Sequence, residues 1–144
     1  MGLRATHLAR WWAQNQRCIW CGGWTWAAGL VTEHHARQRL GITPGMRGAG
    51  KALRRARATA EHLLPRARGG TDRADNIVSA CAGCNTRRGD DPARLAPHAE
   101  VLALLPVPVR RQILWAAEQA QIRPSESDVF GRSDDDFCLD RKIK

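Results

Sequence analysis

Between Ala60 and Asp90 the chain reads AEHLLPRARGGTDRADNIVSACAGCNTRRGD, and most of its reactive side chains fall in this stretch. Glu61 and His62 put a carboxylate and an imidazole side by side. Asn76 and Asn85 supply two amides, Cys81 and Cys84 two thiols, and Arg87 and Arg88 two cations. A free imidazole has an ordinary pKa near 6.5 and is largely neutral at physiological pH, so His62 is a candidate proton acceptor. Two thiols separated by two residues are a common half of a tetrahedral metal site.

These groups need elements that bring them together. Pro65, Gly69 and Gly70 seed a loop, and Asn76 to Ala80 is a short apolar run suited to a strand. That run opens directly onto Cys81-Ala-Gly-Cys84, which would lead into a helix. The order resembles the HNH endonuclease family, the ββα-metal nucleases. There an acid-His pair ends the first strand before a Pro and a Gly-Gly turn, an Asn starts the second strand, and CxxC leads through Asn to a basic residue and Gly. Glu61, His62, Pro65, Gly69, Gly70, Asn76, Cys81, Cys84, Asn85, Arg88 and Gly89 fall on those places in order. So many matched positions in so short a stretch are far more specific than a lone CxxC.

The resemblance implies an α+β fold with a ββα-metal core, and a metal-dependent endonuclease that hydrolyses DNA phosphodiester bonds to leave 5′-phosphate ends. His62 would be the general base, worth ~10²–10⁴-fold when well placed, and Asn76 would orient it. Glu61 and Asn85 would hold one hard divalent ion through oxygen, Mg²⁺ or Mn²⁺. Asn85 stands where many relatives have a second His, which favours Mg²⁺. Glu61 in place of the commoner Asp adds a methylene to the ligand arm. Arg66, Arg68, Arg87 and Arg88 are the candidate DNA contacts, positioning a duplex without reading its sequence. One geometric condition attaches to the pair: adjacent strand residues point to opposite faces, so Glu61 and His62 share a site only if the strand bends or ends there.

A second thiol pair lies upstream in Cys18-Ile-Trp-Cys21-Gly-Gly. Joined with Cys81 and Cys84 it would make a four-thiolate zinc site, structural because no position is left for water or substrate. The fifth cysteine, Cys138, has no assigned role. Paired CxxC motifs read as metal ligation in a reducing compartment more naturally than as a disulfide framework.

The length of 144 residues suits one domain. We expect a nuclease domain over residues 1–124, with its core at 57–90 and knuckles at 18–21 and 81–84, followed by an acidic, flexible tail over 125–144. The net charge of +9 comes mostly from arginine, whose fork suits phosphate oxygens. Ala36 to Gly69 holds nine basic residues against Glu61 alone, whereas Ser125 to Asp140 holds six acids and one arginine. The expected partner is therefore a polyanion, which the resemblance implies is double-stranded DNA, with a homodimer left open and no membrane. No apolar run approaches the roughly twenty residues that cross a bilayer, and the expectation is a soluble, cytoplasmic protein without a signal peptide.

Outside the motif, Thr6 to Gln16 reads as a helix with Thr6 a candidate cap, Trp24 and Trp26 alternate as on a strand, and Glu33 to Leu40 suits a second helix. Ala52 to Ala58 is strongly basic, either a phosphate-tracking face or a solvated helix. His98 to Leu105 and Pro108 to Gln121 read as packing helices. Gly45 to Lys51, GMRGAGK, has phosphate-loop spacing, but Ala52 stands where a Ser or Thr is needed and no apolar strand precedes it. Glu33-His34-His35 imitates the acid-His pair without the turn, Asn and CxxC that should follow. Two other classes of function fit part of the pattern. One is a non-catalytic zinc-stabilised DNA-binding module, and the other an interaction or toxin domain whose acidic tail binds a partner or masks the basic face.

Overall fold

A computed structural model of the chain describes residues 2–121. The expected acidic tail and Cys138 lie outside the described residues. The order of elements is α1 (Leu3–Ala13), α2 (Glu33–Arg39), α3 (Ala49–Arg55), β1 (Ala58–His62), β2 (Ile77–Cys81), α4 (Ala82–Arg88), α5 (Ala99–Ala103) and α6 (Val107–Gln121). This is an α+β protein whose one sheet has two antiparallel strands, paired from Ala58 opposite Cys81 to His62 opposite Ile77. None of the described helices is long and apolar enough to cross a membrane.

An isolated two-stranded hairpin is marginal in water, so its edges and faces need cover. On the outer edge of β2, the Gln14 carboxamide donates to the Ser79 carbonyl at 2.8 Å and accepts from the Ser79 amide at 2.8 Å. The Ile19 amide adds a third bond to the Ser79 carbonyl. One side chain thus imitates the peptide group of a missing strand, and every residue of β2 is buried. On the outer edge of β1, the Ala58 amide donates to the Trp26 carbonyl, the Asn85 amide group donates to the Ala60 carbonyl, and Arg88 donates to the His62 carbonyl. Helix α4 therefore lies where it can close the edge of the strand that carries the acid-His pair.

Besides a small cluster of Trp11, Ala27 and Ala58, two apolar clusters hold the elements. The larger joins Cys18, Ile19, Trp20, Leu63, Val78, Ala80, Cys81 and Cys84 to Val101, Leu105, Val109, Ile113 and Ala116 of the last two helices. The smaller is formed by Trp26, Ala36, Ile42 and Leu53. The segment between the first knuckle and β1 thus has its own small core, which seats α3 at the start of β1.

Several expectations shift in detail. Helix α1 starts at Leu3 with Gly2 as its cap, and Thr6 is a buried residue within it. The helix stops at Ala13 because Asn15 and Gln16 adopt left-handed backbone (φ 51° and 60°), held there by bonds from Trp24 to the Gln16 side chain and from Thr25 to its carbonyl. Trp24 and Trp26 form single bridges to Arg17 and Arg57 in place of a strand. The second strand begins at Ile77, one residue after Asn76.

Candidate active site and metal centre

Cys81 ends β2 and caps α4, its sulfur accepting the Cys84 amide at 3.3 Å. Cys18 and Cys21 lie in a tight turn closed by bonds from the Cys18 amide to the Gly23 carbonyl and from the Gly22 amide to the Cys18 carbonyl. Gly22 has φ +72°, and a Cβ there would lie 2.5 Å from the His98 ring, so the turn needs glycine for conformation and for space. The four sulfurs lie within 4.8 Å of one another, with Cys21 and Cys81 at 4.0 Å. Disulfide sulfurs sit at about 2.05 Å, and no disulfide joins any two of these four cysteines. A tetrahedron of about 2.3 Å Zn–S bonds needs sulfurs roughly 3.8 Å apart, so the cluster fits zinc. Its thiols are mostly buried, which suits a structural ion.

Strand alternation separates the acid-His pair. Glu61 faces α4 and is 2 % exposed, and Arg88 is 1 % exposed. Arg88 donates to the Glu61 carboxylate at 2.5 Å, to the His62 carbonyl at 3.0 Å and to the Leu63 carbonyl at 2.6 Å, while its guanidinium lies 4.7 Å from the centre of the Trp20 ring. Burial pushes the Glu61 carboxyl up to about 7, against the opposing pull of Arg88. Burial likewise lowers Arg88, with Glu61 holding it up. Two expectations are corrected here. Arg88 is an internal clamp and does not reach backbone phosphates. Glu61 has one carboxylate oxygen engaged by Arg88 and the other buried without a hydrogen-bond partner, so it does not offer an open ligand beside Asn85.

His62 points the other way and is partly exposed. Its Nε2 lies 2.8 Å from an Asp72 carboxylate oxygen. Arg66 grips the same carboxylate with bonds of 2.6 and 2.8 Å from one guanidinium nitrogen, and hydrogen bonds from His62 and Arg66 hold Asp72 below the usual carboxylate range. Asp72 was not among the candidates from sequence. The only signal for it was its place directly after Gly-Gly-Thr, which nothing local distinguishes from an ordinary turn carboxylate.

Asn76 makes no hydrogen bond to the imidazole among the described residues, contrary to expectation. Its carboxamide accepts from the Leu64 amide at 2.8 Å and donates to the Leu64 carbonyl at 3.1 Å and the Thr71 carbonyl at 2.8 Å, so it laces the loop between the strands. Gly70 is needed in that loop because a Cβ there would fall 1.7 Å from the Leu64 carbonyl oxygen. Asn85 donates to the Thr59 hydroxyl at 3.0 Å and the Ala60 carbonyl at 3.1 Å. Both bonds use its nitrogen, which leaves its carbonyl oxygen without a protein donor among the described residues. Arg68 donates to the Asp90 carbonyl at 2.7 Å and is half-buried, whereas Arg87 on α4 is exposed.

Beside Thr59 and Ala60 opens a groove of about 480 Å³ lined by His7, Arg54, Arg57, Ala58, Thr59, Ala60 and Ala82. Arg54 and Arg57 are exposed, and neither guanidinium has a hydrogen bond or ion pair among the described residues. They belong to the basic run that read equally as a phosphate face or a solvated helix.

Residues 50–95 match the family model described as HNH endonuclease. No curated protein and no solved structure is significantly similar to the chain. A two-stranded ββα unit with a four-cysteine cluster thus coincides with the segment that is similar to HNH endonucleases. The family acts on nucleic acids and uses divalent metals.

Proposed function

We propose that the protein is an endonuclease that hydrolyses DNA phosphodiester bonds, with His62 as the general base. The observation that carries this reading is the His62 imidazole, presented at the open end of β1 inside a segment that matches HNH endonucleases. A water attacks phosphorus and gives its proton to the imidazole. The bond from phosphorus to the 3′ oxygen breaks and that oxygen takes a proton from solvent, leaving a 5′ phosphate and a 3′ hydroxyl. Asn76 fixes the loop beside His62, and Arg88 fixes the backbone carbonyl of His62 itself. Mg²⁺ or Mn²⁺ would supply neutralisation of charge developing on the phosphate. The Asn85 carbonyl oxygen suits such an ion, and Glu61 as placed does not.

The test is incubation of supercoiled plasmid with Mg²⁺ or Mn²⁺, comparing the parent with His62→Ala. A loss of ~10²–10⁴-fold in nicking rate is expected. Equal nicking by both would remove His62 from the chemistry. A second reading, the zinc-stabilised DNA-binding module without catalysis, draws support from the internal pairing of Glu61 with Arg88. Duplex binding by the parent with no nicking in either metal would favour it.

On either reading the cationic groove is the natural path for a phosphodiester backbone. Phosphate contacts release counterions, so log affinity falls with log salt by about 0.9 for each contact on B-form DNA. Replacing Arg54 and Arg57 by alanine should weaken duplex binding alike for all sequences and flatten that slope by up to about 1.8. Fluorescence anisotropy over a salt series measures both, and an unchanged slope would place the duplex elsewhere.

A further inference from the structure

We propose that Asp72 is the positioning carboxylate of this site, holding the His62 imidazole in the tautomer that carries its proton on Nε2 and presents Nδ1 as the acceptor. The catalytic consequence rests on the nuclease reading; the tautomer does not.

The assignment follows from what each group can donate. Arg66 contacts both Asp72 oxygens, and a guanidinium in that grip favours an ionised carboxylate, which only accepts hydrogen bonds. The nitrogen 2.8 Å from it must then be the one bearing hydrogen. The Arg66 Nε also lies 3.3 Å from His62 Nε2. It is closer to Asp72, at 3.2 Å, and an N–H facing another N–H makes no bond, so the carboxylate takes both hydrogens. The neutral imidazole is left with its lone pair on Nδ1, and which nitrogen of a histidine is free is set by the partner of the other.

The loop explains why this carboxylate is present. Asn76 holds the Thr71 carbonyl and both backbone groups of Leu64. The residue after Thr71 is thereby carried back onto His62, the last residue of β1. The Gly69–Gly70 turn permits the reversal, with Gly69 at φ +86° and Gly70 packed directly on Leu64. The amide that was expected to orient the imidazole thus acts through the loop, and Asp72 makes the contact. The pair is partly exposed, with Asp72 at 48 %, so its effect lies in orientation and hardly in stability.

The experiment uses the full zinc-loaded chain. Long-range ¹H–¹⁵N spectra of histidine-labelled protein report the tautomer of each ring, with His62 assigned from His62→Gln. The parent should show the Nε2–H form at His62. Asp72→Ala should lose that signature and Asp72→Glu should largely restore it, with zinc content and melting temperature held. In plasmid nicking, Asp72→Ala should lower kcat by ~10–100-fold with KM unchanged, and Asp72→Glu should recover part of the loss. A parent that shows the Nε2–H form, lost in Asp72→Ala, supports the positioning role even if no nicking is found, in which case it is the nuclease reading that fails. An Nδ1–H form in the parent, or a tautomer unmoved by Asp72→Ala, overturns the proposal whatever the activity.

Discussion

Chelating the metal of the four-cysteine cluster will unfold this protein, and a Cys84→Ser substitution will do nearly the same. The cluster sits inside the main apolar core and joins the N-terminal turn to the end of β2 and the start of α4. Structural zinc in small domains contributes an apparent ~10–16 kcal/mol, and a whole domain is stable by only about 5–15 kcal/mol. The cluster therefore decides whether the fold exists. Zinc analysis should find one ion per chain. Far-UV circular dichroism after strong chelation should show lost helix that returns when zinc is restored. A zinc-free protein that still melts in one sharp, unshifted transition would remove the metal from this account.

Arg88→Ala should cost about 3–5 kcal/mol, because it strands a buried carboxylate. The melting temperature should fall by roughly 10 °C or more. The loss should also depend on pH. The Glu61 carboxyl is raised from 4.5 to about 7 in the folded state. The stability a raised carboxyl contributes is fully present below 4.5 and is lost as the pH rises through 7. Removing Arg88 removes the main group that pulls Glu61 down, so the carboxyl rises further and the gap between variant and parent widens above pH 7. Urea melts at about pH 5 and about pH 8.5 measure that gap. An equal gap at both would mean that Arg88 does not compensate the Glu61 charge. The double variant Glu61→Ala with Arg88→Ala should lose less than the sum of the two single losses.

The order of the ββα unit and the meeting of two distant thiol pairs were legible in the sequence, because both rest on local signals. A Gly-Gly turn, a short apolar run and CxxC spacing each constrain the backbone within a few residues. What was not legible depends on which way side chains point after the strands pair. Alternation along β1 sends Glu61 to α4 and His62 to the loop, and only the packed structure shows that Arg88 is waiting on the first side. The place of Arg88 in the motif was legible, while its environment was not readable from a row of arginines. Asp72 was missed, and Arg54 and Arg57 were read only as part of a basic run, for the related reason that charge alone does not say which cation already has a partner. The boundary of α1 was misplaced because Thr6, a good cap by type, is buried in the helix interior.

The Gln14 carboxamide that stands in for a third strand lies far outside residues 50–95, as do Cys18, Cys21 and the Ile19 amide. Excising the family-matching segment would leave the outer side of β2 with unsaturated peptide groups, two orphaned thiolates and a raw apolar seam. Such a fragment should aggregate or pair with itself. The smallest autonomous unit of this protein therefore begins near its first helix, well upstream of the family-matching segment.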